Sequence, residues 1–265
     1  MRLHPVPART GLLWVRLGVS TFVQRPLALG GLFLLFMGAL SVASMVPLLG
    51  TVLALVLLPA ATLGLMAATQ QASQGRFPTP LVLATAFRAG KNRLRSMAHL
   101  GLLYAVGFLG VMALTALVDG GGFARFYLGG QTVPVETLKT PAFQAAMWVA
   151  MLLYMPLAML FWHAPALVHW HGVSPVKSLF FSWLACWRNK AALLVFGLGW
   201  MGLFVGTSLV LGLVSALVGG PQVFGWVMLP AALVMASMLF TSFYFTFRDS
   251  FDTQGEADTQ DTAPR

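Results

Sequence analysis

The sequence predicts an all-α polytopic membrane protein, and three observations carry that expectation. The chain is 58% hydrophobic and 9% charged with a mean hydropathy of +0.82, whereas a soluble domain is roughly 45–50% apolar and about 25% charged. Six stretches, 27–46, 51–69, 97–117, 145–168, 191–216 and 223–247, are long and apolar enough to be spans, since crossing about 30 Å of hydrocarbon takes about 20 such residues. Basic residues, finally, crowd into alternate connections between these stretches.

Taken in order, the first 26 residues hold Arg2, Arg9, Arg16 and Arg25. Arg16, Ser20 and Gln24 fall four apart, opposite Val15, Val19 and Phe22, which predicts an amphipathic helix before the first span. Spans one and two are separated only by 46–50 and form a hairpin. A cleavable leader is the competing reading, with Ser41-Val42-Ala43 as small residues at a cleavage site. Against it, the preceding segment is long for a leader and the apolar run continues straight into the second span. Thr79-Pro80 opens a second amphipathic segment, with Thr85, Arg88, Asn92 and Arg95 opposite Leu83, Ala86, Phe87 and Leu94. Residues 118–144, beginning Asp119-Gly120-Gly121-Gly122, read as an irregular outer loop. They lack the strand and helix N-terminus that a phosphate-cradling glycine loop needs. Ser174-Pro175 then offers an N-cap and a proline at the first helical position. Val176, Leu179, Phe180, Trp183, Leu184 and Trp187 follow at helical spacing, with Ser178, Ser182 and Asn189 on the other face. That third helix is expected to lie in the interface with its aromatic rings at headgroup depth. Residues 1–247 thus form the membrane domain, and 248–265, with five acids and no apolar pattern, read as a disordered tail.

The chain also repeats. A step of 97 residues carries Pro59, Gly75, Pro78 and Asn92 onto Pro156, Gly172, Pro175 and Asn189, and Leu58-Pro59-Ala60-Ala61 recurs as Leu229-Pro230-Ala231-Ala232. Polar, mostly basic clusters recur before the odd-numbered spans: Gln24-Arg25, Lys91-Asn92-Arg93 and Arg188-Asn189-Lys190. The alternative is chance recurrence in a low-complexity chain, but prolines, interfacial helices and charge clusters agree on three copies, about 11–69, 79–168 and 174–247. Each is interfacial helix, span out, span back, in one orientation, as in parallel repeats.

Of the 16 Lys and Arg, 14 fall on one side and only Arg125 and Lys139 on the other. By the positive-inside rule both termini are cytoplasmic. The net charge of +9 is therefore read as a topology signal and not as a nucleic-acid footprint. Arg88, Lys91, Arg93, Arg95, Arg188 and Lys190 are expected to meet anionic lipid headgroups, each worth about 1 kcal/mol when close. Only seven acids exist, five of them after residue 247, and none lies inside an expected span. That removes the side chains most used in membranes for proton relays, cation coordination and acid catalysis. Cys186 is the single cysteine, so no disulfide forms within the chain.

The proline breaks are the candidate site. A proline inside a helix frees the carbonyl four residues back, here those of Leu55, Leu152 and Trp226. If the breaks converge, Pro59, Pro156 and Pro230 would line a midplane site together with His163, the deepest ionisable side chain. The alternatives are kinks that only shape packing and a neutral histidine beside one partner. His169-Trp170-His171 supplies imidazole without carboxylate or thiolate, so no metal or cofactor is expected. Gly206-Thr207-Ser208-Leu209 lacks a nucleophile elbow, and no enzyme is expected. Gly199, Gly202 and Gly206 form a small-residue stripe for close helix packing, within one chain or between two copies.

Trp170-His171-Gly172-Val173-Ser174-Pro175-Val176-Lys177-Ser178-Leu179-Phe180-Phe181-Ser182, with Cys186-Trp187-Arg188-Asn189 behind it, resembles a family of uncharacterised proteobacterial inner-membrane proteins. Ala164-Pro165-Ala166-Leu167-Val168, Arg25-Pro26-Leu27-Ala28-Leu29 and Pro78-Thr79-Pro80 are similar too. The resemblance covers most of the chain except 118–144 and the tail. It implies six spans and a bacterial inner membrane, and brings no activity or site residue with it. The expected role is a non-enzymatic scaffold or lipid-interacting component; the alternative is a transporter or channel for a small or amphipathic solute.

Overall fold

A computed structural model describes residues 3–46, 49–129 and 132–251. Met1 and Arg2, Pro47 and Leu48 between the first two spans, Gly130 and Gln131, and the tail from Asp252 onward lie outside the described residues. The named elements are all helices, in the order α1 (Thr10–Gln24), α2 (Pro26–Ser44), α3 (Gly50–Ser73), a 3-10 turn (Pro80–Ala84), α4 (Thr85–Arg88), α5 (Lys91–Asp119), α6 (Gly122–Gly129), α7 (Val135–Leu138), α8 (Pro141–Phe161), α9 (Ala164–His171), α10 (Pro175–Arg188), α11 (Lys190–Val218) and α12 (Pro221–Ser250). Six helical segments are long and apolar enough to cross a membrane: α2, α3, α5, α8 continued through α9, α11 and α12.

Local chemistry explains the ends. Thr140 caps α8 by accepting from the Phe143 N–H, and Pro141 fills the first position, where no donor is needed. The two glycines related by the 97-residue step, Gly75 and Gly172, both end returning helices at positive φ, 75° and 67°. There the Arg76 N–H reaches back to Gln71 O and the Val173 N–H to Leu167 O, satisfying end carbonyls. Two expectations are corrected. The segment from Thr79 is not one amphipathic helix: Pro80 starts a 3-10 turn, and Gly90, at φ 91°, separates the short α4 from α5, which already carries Asn92 and Arg95. Residues 118–144 are not an irregular loop either, since they hold α6 and α7.

By contact the chain forms two compact units, Met1–Phe36 with Thr62–Thr85 and Leu184–Arg265, and Met37–Ala61 with Ala86–Trp183. These do not follow the three copies, because α2 and α3 are each divided between units.

In the first unit α1 packs on α11 and α12. A Cβ on Gly11 would collide with the Ala192 carbonyl, and one on Gly18 with Ser242, so glycine at those two positions is what lets the backbones approach. Trp14, fully buried, donates from Nε1 to Asp249 Oδ2 at 2.9 Å and meets Phe196 edge-on. Arg16, Ser20 and Gln24 stay exposed, as the spacing predicts. Asn189 precedes α11 and is buried. Its Oδ1 accepts from the Val6 N–H at 2.9 Å, while Nδ2 donates to His4 O and Ser250 Oγ, both at 3.1 Å. The Leu3–Phe251 bridge continues this clasp. Arg248 and Asp249 therefore belong to the folded unit, paired at 2.7 Å, and not to a disordered tail: α12 runs to Ser250 and Phe251 is buried.

In the second unit Gly101 of α5 meets the backbone of Val56, and Gly107 meets Leu157 of α8. The core between α5, α6 and α8 is built from Tyr104, Phe108, Val111, Met112, Phe123 and Phe143.

Truncating Asn189 strands the half-buried Val6 N–H, the His4 carbonyl and the buried Ser250 hydroxyl, and a buried polar group left unpaired costs about 1–3 kcal/mol. Asn189→Ala is expected to lower stability by roughly 2–3 kcal/mol and to make the N-terminal segment protease-sensitive, as measured by thermal unfolding and limited proteolysis in detergent. Asn92→Ala, at the exposed counterpart position, should change stability by no more than about 0.5 kcal/mol.

Candidate functional site

The three prolines differ in burial. Pro59 is buried in α3 and Pro156 half-buried in α8, both in the second unit, while Pro230 is exposed on α12 in the first. All three sit inside continuous helices. Around Pro230 this face of α12 is exposed, with Trp226 77% exposed one turn earlier.

The break in the returning span of the second copy lies instead at 162–163, between α8 and α9. Pro165, early in α9, has no N–H to give to the preceding turn. The ladder reopens at His163, and a side chain from another helix repairs it. The Ser182 hydroxyl donates to Met159 O at 2.8 Å, and the His163 N–H donates to Ser182 Oγ at 2.9 Å. Those two backbone groups would be partners in an uninterrupted α-helix, so one hydroxyl is spliced into their bond. His163 and Ser182 are both buried. His163 is enclosed by protein, and its backbone N–H makes the contact to Ser182.

The splice lies on the polar face of α10. Ser178, Ser182 and Asn189 are buried, whereas Val176, Phe180 and Trp187 are exposed. The polar face points into protein and the apolar face points away, which suits a helix whose outer surroundings are lipid. Cys186 is buried on the inner side, and burial pushes its thiol up to about 12.

The basic residues divide. Arg93 is half-buried and donates from one nitrogen to Val168 O, at 2.7 Å, and to His169 O. It caps the carbonyl end of α9, where a cation also suits the helix dipole. Lys190 lies 4.8 Å from the centre of the Trp187 ring. Arg88, Lys91, Arg95 and Arg188 are exposed. The glycine stripe divides as well: a Cβ at Gly199 would press on Val15 and Leu12 of α1, but Gly202 and Gly206 face open space. Among the glycines where a Cβ would strike a neighbouring helix's backbone are Gly11 and Gly101.

One feature with no signal at short spacing is a cavity of about 210 Å³ between α5, α6 and α8. Asp119 ends α5, and its carboxylate accepts from the Gly121 and Phe123 N–H groups. Gly120 and Gly121, at φ 68° and 88°, turn the chain so that α6 lies back along α5, with Phe123 against Phe143 and Tyr127 against Phe108. Three of the four tyrosines gather here. Tyr104 and Tyr154 place their hydroxyls 3.4 Å apart, and burial, then the neighbouring Tyr154, raise the Tyr127 phenol above its ordinary value. In the first unit a far smaller cavity of about 10 Å³ adjoins Thr69, Ser237 and Thr241, whose hydroxyls donate to backbone carbonyls.

A protein of Burkholderia thailandensis described as "Probable inner membrane protein" is 40% identical to this chain over 257 residues, covering 96% of the chain and 95% of that protein. No family model matches. No solved structure matches.

The raised Cys186 thiol stays protonated well above the usual cysteine range, so thiolate, the reactive form, is scarce below pH 12. Maleimide is expected to label Cys186 negligibly at pH 8 in native protein and fully after denaturation. Ser182→Ala leaves Met159 O and the His163 N–H without their bridge, at about 1–3 kcal/mol each. It should therefore lower the unfolding temperature and admit maleimide at pH 8, both read in the same detergent sample.

Proposed function

The chain belongs to the same family as this inner-membrane protein, and from that premise we propose that it is a non-enzymatic, lipid-interacting component of the inner membrane whose exposed basic segment holds anionic headgroups. The observation that supports this best is the chemistry of residues 87–95 in the second unit. Phe87 and Leu94 are exposed alongside exposed Arg88, Lys91 and Arg95. Apolar side chains that enter the headgroup boundary, set among cations that meet phosphate, make an interfacial anchor. Both termini lie on the same cytoplasmic side as this segment in the reading, since the charge bias is 14 against 2. The lining of the larger cavity favours a lipid role over solute transport, for it is made of phenylalanine, methionine and tyrosine. A scaffold role fits the same surface, with α11 and α12 presenting long exposed apolar faces to lipid.

The test is lipid retention. Protein purified from mixed anionic and zwitterionic bilayers is expected to carry anionic phospholipid, measured by native mass spectrometry or lipid extraction. Changing Arg88, Lys91 and Arg95 together to Gln should reduce it about tenfold or more, given about 1 kcal/mol for each basic residue near the surface. High salt should weaken retention in the wild type by screening. Equal retention by a folded triple variant would sink the reading.

A further inference from the structure

We propose that the groove between α5, α6 and α8 is a binding site for one hydrocarbon chain of a membrane lipid. Two helical stripes form its walls. Tyr104, Phe108 and Met112 recur every four residues on α5, and Met147, Met151 and Tyr154 recur at four and three on α8, so each set lies along one side of its helix. The groove therefore runs lengthwise along two membrane spans, the direction in which lipid tails lie. Between the stripes Ala150, almost fully buried, leaves floor space that a larger side chain would fill.

The open side faces the bilayer. Met147, Met151 and Tyr154 are 42%, 57% and 41% exposed within the Pro141–His171 span, so an occupant enters sideways from the hydrocarbon. At about 210 Å³ the space exceeds the roughly 150 Å³ apolar cavity that holds a benzene ring. Methionine and aromatic walls adapt to a flexible chain. No lining side chain carries a formal charge, and the Tyr104 and Tyr154 hydroxyls lie near enough to serve each other. The part of the ligand that sits here is thus uncharged hydrocarbon. α6 closes one end: Phe123 and Tyr127, four apart, lie over Phe108 and Phe143, held by the Asp119 cap. An acyl tail and a polyprenyl tail share this chemistry.

The experiment uses the full chain in bilayers of zwitterionic phospholipid, doped either with a phospholipid bearing a diazirine in its tail or with a diazirine polyprenyl lipid. After irradiation, crosslinks are mapped by mass spectrometry. The expected result is labelling of 123–127 and 147–154 about tenfold above the more exposed 209–214 stretch of α11, with Met151→Trp removing most of it while α11 labelling is unchanged. Met151 is exposed, so this variant leaves packing intact; Ala150→Phe fills the floor as a second block. Labelling by one probe alone identifies the chain type. Labelling in simple proportion to exposure, indifferent to both substitutions, would mean ordinary surrounding lipid and overturn the proposal. Because the bilayer and the altered residues are uncharged, the outcome does not depend on the basic segment.

Discussion

A carbonyl or N–H group with no partner in hydrocarbon costs several kcal/mol, and the places where this chain interrupts its own backbone ladder decide which polar side chains must be inside. At 162–163 the span bends because Pro165 lacks a donor, and Ser182 must come to it. Bringing Ser182 inward fixes the rotation of α10. Ser178 is then buried on the same side, Phe180 and Trp187 face outward, and the helix becomes polar inside and apolar outside. One backbone defect therefore orients fourteen residues of helix.

The first unit meets the related problem of where two chain ends are placed. Helix ends expose orphan donors and acceptors, and the α11 start, the α12 end and the stretch before α1 all meet at Asn189. A single amide, with one acceptor and two donor hydrogens, serves three groups there. Trp14 adds a fourth tie through Asp249. The apolar membrane domain is closed by polar bonds because lipid supplies little hydrophobic force to press helices together.

The six spans and their hairpin order were legible because run length and the bilayer's thickness act on every residue alike. The helix ends at Gly75 and Gly172 were legible as well, since a left-handed helix end restricts the residue that fills it. What could not be read was which way a mixed face points. Val15 and Phe22 are buried opposite exposed Arg16 in α1, while Ser182 is buried opposite exposed Phe180 in α10; the two patterns look alike until the neighbours are known. Arg93 looked like its basic neighbours, yet the end of α9, 75 residues away, claims it. The aromatic groove was invisible for the same reason, as its walls are 50 residues apart. His163 is buried, and periodicity carries no information about a serine entering its ladder from another helix.

Asn92 and Asn189 show how little a residue's place in a repeat fixes its use. Both stand at the start of a long span, where a small amide suits the first turn. Asn92 is exposed, and its neighbour Arg93 turns to cap α9. Asn189 is buried, and its neighbour Lys190 covers Trp187. The difference follows from what else ends nearby: only beside Asn189 do the N-terminal stretch and the last turn of α12 arrive with groups to satisfy. A copied sequence therefore supplies the same donors and acceptors twice, and the local supply of unpaired backbone decides which copy becomes structural.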